Sequence, residues 1–229
     1  MSDIISSTPA MLLLVVGSYY IGTLLYRKFR SAWVHPVAIG MLLTLVVLLV
    51  LGIDYPTFKA GTAFLDFLLG PTVVALGYLL YEQIAHLRGR EVIIFIATAV
   101  GAFIGISSVM LMGHLFALDE MLIASLTPKS ATMPIALPLS EQSGGLPSVT
   151  AIVVFLTGIV GSLIGPWLLD KCGITHPIAR GLALGSASHG IGTSRAIEMG
   201  ALEGAVSGLA IGLTGITISL LLPLVEWLM

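Results

Sequence analysis

Five uncharged apolar runs, Ile4 to Tyr26, Ser31 to Ile53, Val92 to Leu118, Ser143 to Leu169 and Gly204 to Val225, dominate this chain. Each matches the roughly 20 apolar residues that a helix needs to cross the hydrocarbon core of a bilayer. A sixth, Ala60 to Tyr81, carries Asp66 and the pair Gly70-Pro71, which predict a helix broken or kinked near its start. Composition agrees: 10% of the 229 residues are charged, against about 25% in a soluble domain, and mean hydropathy is +1.06. The chain reads as an all-α integral membrane protein with about six spans. A formal net charge of -2, with Lys and Arg in short clusters between apolar runs, excludes a nucleic-acid footprint. The first run has no basic n-region and carries Asp3, so it is expected to be retained as a span rather than cleaved.

Two further regions, Met121 to Gln142 and His176 to Gly200, are apolar but contain Lys129 and Arg195 among Pro or Gly clusters. Irregular backbone survives at membrane depth only when packed in protein or lining a wet cavity, so both are expected to be broken helices or re-entrant hairpins. Arg27, Lys28 and Arg30 follow the first run, and Arg88 and Arg90 follow the third. By the positive-inside rule both loops face the cytoplasm, which puts the N-terminus outside. Re-entry of Met121 to Gln142 from the outer side then leaves Lys171 and Arg180 inside, whereas crossing reverses them.

An internal repeat favours re-entry. KSATMPIALPLSEQSGG (129 to 145) lines up with GSASHGIGTSRAIEMGA (185 to 201), and TGIVGSLIGP (157 to 166) with TGITISLLLP (214 to 223). Two copies about 57 residues apart, each a broken segment followed by a span, match the repeats of secondary transporters. With one span between re-entrant copies, the repeat is inverted. Residues 1–60 then read as N-terminal spans, a scaffold or partner contact, and 61–229 as the repeat-bearing transport domain.

The two broken segments carry the chemistry. Half-helix N-termini present free N–H groups and a positive dipole end to an anion. In the second segment Gly190 and Gly192 allow close backbone approach, and Ser188, Thr193 and Ser194 supply hydroxyls. Arg195 adds a permanent charge and a planar fork matching a carboxylate, and His189 is a polar donor or proton carrier. The first segment offers Lys129, Ser130 and Thr132 around Pro134 and Pro138. Plainer readings stand beside these. Arg195 can pair with Glu198, three residues along the same face; Lys129 can be an interfacial anchor; Ser186 and Gly208 read as packing surface. Asp66, Glu141 and Glu198 are candidates for coupling-ion binding or gating, with an interfacial cap as the alternative for Asp66 and a solvated terminus for Glu141. His35, His86, His114 and His176 lack paired ligand spacing, so no metal site is expected. Cys172 reads as a small apolar residue near a helix end. Without a nucleophile-base pair, phosphate loop or H-E-x-x-H motif, neither an enzyme nor a cofactor is expected.

The blocks LPKSATMPIALPLSEQSGGLPSVTA and RGLALGSASHGIGTSRAIE, with the earlier GPTVVALGYLLYEQI, resemble the LrgB/CidB family of bacterial membrane proteins from about Leu43 onward. The resemblance implies one of two functions. One is a holin- or antiholin-like modulator of murein hydrolase export and autolysis; the other is transport of small 2-hydroxy or 2-oxo carboxylates such as glycolate, glycerate, lactate or pyruvate, as in the related plastidial glycolate/glycerate transporter. It also implies a small LrgA/CidA-type membrane partner, and it carries the motif onto Lys129, Ser130, Thr132, Pro134, Ser188, His189, Gly192, Thr193 and Arg195. Pro138 and Glu141 depart from the smaller or uncharged residues expected there. Two repeated, donor-rich breaks favour a carrier, expected as a homo-oligomer in the inner (plasma) membrane; a structural subunit of a membrane complex is the third reading.

Overall fold

A computed structural model describes residues 7–29, 35–84, 89 and 91–228, all of whose regular elements are helices. Arg30, His86, Arg88 and Arg90 lie outside the described residues, as does the side chain of Glu82. The chain divides into two compact units after Pro71.

In the first unit, α1 (Thr8–Phe29) packs on α2 (Pro36–Leu51) and on the short α3 (Tyr55–Gly61). Glycine makes the approach possible: a side chain at Gly22 would collide with the backbone of Pro36, and one at Gly40 would press on that of Tyr19. The Gly52 backbone, at φ 65°, closes α2. Helix α4 (Ala63–Ile84) runs from this unit into the next as one element, with Pro71 inside it rather than at a break.

The second unit continues with α5 (Glu91–Leu115) and α6 (Glu120–Leu126), then a 3-10 turn (Thr127–Ser130) and α7 (Met133–Gln142). It ends with α8 (Pro147–Lys171), α9 (Pro177–Met199) and α10 (Ala201–Leu228). Thr8–Phe29, Glu91–Leu115, Pro147–Lys171 and Ala201–Trp227 are long and apolar enough to cross a membrane, and Pro36–Leu51 and Ala63–Thr72 are shorter apolar helices. Large apolar side chains such as Val50, Val74, Leu111 and Trp227 face outward, as expected where the solvent is hydrocarbon. The chain is an all-α, multi-pass membrane protein.

Two histidines start helices. His35 and His176 each precede a proline at the first helical turn and accept the N–H of the residue after it, Val37 and Ile178, at 3.3 Å through Nδ1. This is ordinary N-capping. Cys172 is the exposed C-cap of α8, and across the following turn Arg180 pairs with Asp170 and donates to the Ile174 carbonyl.

Candidate functional site

Both broken segments are helical hairpins. In the first, the chain leaves helical geometry at Ala131 (ψ 162°) and Thr132 (ψ 155°), then turns back as α7. The arms are held by buried hydroxyls. Thr150 Oγ1 donates to the Ser125 carbonyl at 2.9 Å and lies 2.6 Å from Ser140 Oγ, while Ser125 Oγ accepts the Leu146 N–H at 2.7 Å. Gly145 fits between Ser140 and the Ser125 backbone, where a Cβ would have no room. Prolines do not break α7: Pro134 opens it and Pro138 lies inside it.

The second hairpin turns at His189. Its φ of 41° and ψ of −133° interrupt α9, in the backbone region that glycine favours at the first central position of a type II′ turn. The arms, 177–188 and 190–199, fold against each other so closely that a Cβ on Gly192 would stand 2.5 Å from the Leu184 carbonyl oxygen. In a straight helix those residues would be about 12 Å apart. Ser207 of α10 packs across both arms one turn below the tip: it abuts Gly185 on one arm and lies 2.7 Å from Thr193 Oγ1 on the other.

Helix α8, at 25 residues, is about 37 Å long and separates the two hairpin mouths. The hairpins therefore enter from opposite ends, each about 15 Å deep, half of a hydrocarbon core near 30 Å. Their tips reach the middle of the spans and pack across the repeat. His189 Nε2 donates to the Val154 carbonyl of α8 at 2.8 Å, and the His189 ring and Ile191 fill the notch left by Gly158. On the other side Ile135, just past the first tip, fills the notch left by Gly215 of α10. Gly158 and Gly215 occupy the same place in the repeat, as TGI in 157–159 and 214–216. Each tip is seated on the other repeat's span.

Thr132 Oγ1 and Ser188 Oγ, at the two tips, are buried with no hydrogen-bond partner. Thr132 is the N-cap of α7, yet its side chain caps nothing, although a threonine there ordinarily bonds the first-turn N–H groups. Pro134 at the second helical position has no N–H and the Ile135 N–H bonds the Thr132 carbonyl at 2.9 Å, so the hydroxyl is left without either of its usual capping partners. The Lys129 ammonium is half-buried one turn before the first tip, 3.4 Å from Ser130 Oγ, and forms no ion pair among the described residues. Ser130 in turn faces Gly105 of α5.

The remaining sequence candidates fall elsewhere. Arg195 is half-exposed and pairs with Glu198 at 2.7 Å, so the geometry follows the plainer reading of that arginine. Thr193 spends its hydroxyl on the His189 carbonyl and Ser207, and Ser194 donates to the Gly190 carbonyl at 3.2 Å. Gly190 is exposed with open space beside it, and Gly192 is arm packing. His189 is a buried anchor between hairpin and span. Glu141 is exposed at the end of α7, away from the tip, and Asp66 is exposed in the first turn of α4. No group of three or more His, Cys, Asp or Glu residues suited to a metal occurs among the described residues. Sequence reading passed over Thr214, whose hydroxyl is also buried and unpartnered; its place in the repeated TGI was the available signal.

Opposed helical hairpins meeting between crossing spans define a class of membrane proteins built from an inverted repeat. Within that class, the LrgB-like family matches residues 15–228, and the chain belongs to it. It is 33% identical over 213 residues to the holin-like protein CidB of Staphylococcus aureus, covering 93% of each chain. The Staphylococcus epidermidis protein of the same name is 32% identical over the same length. The uncharacterized protein YxaC of Bacillus subtilis is 35% identical over 218 residues, 95% of each chain. No solved structure matches.

Proposed function

We propose that this chain is a secondary carrier for small 2-hydroxy or 2-oxo monocarboxylates, of the glycolate, glycerate, lactate and pyruvate class, held between the two hairpin tips. The observation that supports it is the pair of buried, unpartnered hydroxyls of Thr132 and Ser188 at matching places in the repeat. A buried polar group without a partner costs free energy, so a site that keeps two of them at its centre is suited to a ligand that completes them. Lys129 supplies the compensating charge. Ser130, Pro134, Gly190 and Gly192 shape the tips, and the Arg195–Glu198 pair stiffens the outer arm of the second hairpin. Assembly as a homo-oligomer with a small LrgA/CidA-type membrane protein belongs to the same reading.

The names of the staphylococcal relatives support a second reading at least as strongly: a holin- or antiholin-like modulator of murein hydrolase export and autolysis. Purified protein in liposomes, with and without the small partner, separates the two. A carrier gives saturable uptake of labelled lactate or glycolate, falling tenfold or more in Lys129→Gln, and retains an encapsulated dye. Unsaturable dye leakage without carboxylate uptake would overturn the carrier reading in favour of the holin-like one.

A further inference from the structure

Thr214 is 1% exposed, and its hydroxyl has no partner. Helical hydroxyls elsewhere in this chain bond to the carbonyl one turn back: Thr98 to Ile94, Thr127 to Ile123, Thr217 to Leu213 and Ser219 to Gly215. That internal bond is how a hydroxyl is satisfied in an apolar medium. Thr214 does not make it with Ala210, although the helix offers it.

The packing register puts this hydroxyl at the tips. The first arm of the second hairpin runs parallel to α10, with Gly181 against Glu203 and Val206, then Gly185 against Ser207 and Ala210. One further turn along both helices puts Thr214 opposite His189, at the level of the neighbouring Ser188, whose hydroxyl lies against Gly161 of α8. From the other side, Ile135, three residues after Thr132, is seated on Gly215. The three buried, unpartnered hydroxyls, Thr132, Ser188 and Thr214, therefore belong to one level of the molecule.

They are not equivalent. Thr132 and Ser188 are related by the repeat, and a symmetry-related pair of donors matches the two oxygens of a carboxylate. The repeat counterpart of Thr214 is Thr157, which is only half-buried, and its hydroxyl is not among the buried unpartnered ones. Thr214 breaks the symmetry, and the ligand feature it suits is an oxygen outside the carboxylate. Resting on the carrier reading, we infer that Thr214 is a ligand-binding residue that selects for the 2-oxygen of the substrate and against acids that lack it.

Lactate and propionate, which differ only in the 2-hydroxyl, are the probes. Competition against labelled lactate uptake in proteoliposomes gives their relative affinities, and ligand-induced thermal shifts of the purified protein check them without transport. Wild type is expected to prefer lactate. Thr214→Val, equal in shape, should lose about tenfold of that preference, the scale of one hydrogen bond, while propionate recognition is kept and Thr214→Ser restores the preference. Thr217→Val, whose hydroxyl is spent on Leu213, should leave it unchanged. If Thr214→Val does not fold, Thr214→Ala carries the same test. A wild-type lactate preference in the folded variant overturns the inference and leaves the carrier reading standing; a wild type that neither binds nor moves either acid overturns both.

Discussion

At the scale of residues, His189 sets a backbone cost against a side-chain gain. A non-glycine side chain is held at positive φ, a strain of order 1–3 kcal/mol, because its ring is needed to bond the Val154 carbonyl. The substitutions separate these. His189→Ala keeps the strain and loses the bond, whereas His189→Gly loses the bond but relieves the backbone. His189→Ala is therefore expected to be less stable than His189→Gly by about 1 kcal/mol, read as a lower Tm in detergent; the reverse order would show that the turn is not what His189 strains to make. Side-chain chemistry in this site was only partly legible beforehand. Hydroxyls at Thr132 and Ser188 stand out in an apolar chain, so their place at the two breaks could be read directly. The partner of Arg195 could not, because a carboxylate three residues away and a ligand carboxylate satisfy the same fork. Thr214 was hidden for a different reason: a threonine inside an apolar helix ordinarily bonds its own backbone, and only the fold shows that this one does not.

At the scale of elements, the repeat was readable as two copies of a broken segment and a span. That each copy's tip seats on the other copy's span was not, since the pairing joins residues such as Ile135 and Gly215 that are far apart in the chain. Of the two readings of the Gly70-Pro71 pair, a break or a kink, the break is overturned, because Pro71 lies inside α4; in a membrane helix neighbouring groups can satisfy the backbone that proline frees. The two glycine notches respond differently to filling. At Gly158 an added methyl meets the His189 ring 2.8 Å away, and that ring is tethered. At Gly215 it meets only the end of the Ile135 side chain, which can swing aside. Gly158→Ala is expected to cost about 1–3 kcal/mol and to depress uptake, with Gly215→Ala milder and Gly208→Ala, which faces open space, silent. Thermal melts and uptake rates of the three variants check this, and equal effects at 158 and 215 would contradict the tethered-ring explanation.

At the scale of the repeat-bearing unit, the opposed hairpins fix a relation that holds whichever way the protein is inserted: the mouth of the first and the mouth of the second lie at opposite ends of α8. Native Cys172, exposed beside the second mouth, and a cysteine at exposed Gln142 in a Cys172→Ser background are therefore expected to react with a membrane-impermeant maleimide from opposite faces. Labelling of both from one face of intact cells would refute the inverted arrangement. The crosswise seating of the tips also bears on how the protein is made. When the last residue of the first hairpin, Gln142, has been added, the glycine notch that receives Ile135 is still about 70 residues from being synthesised, on the order of ten seconds at ordinary elongation rates. During that interval the hairpin's apolar tip and its unsatisfied hydroxyl have no wall of their own, so the half-made chain depends on the insertion machinery, or on a membrane partner already in place, to stand in for a helix that has not yet been translated.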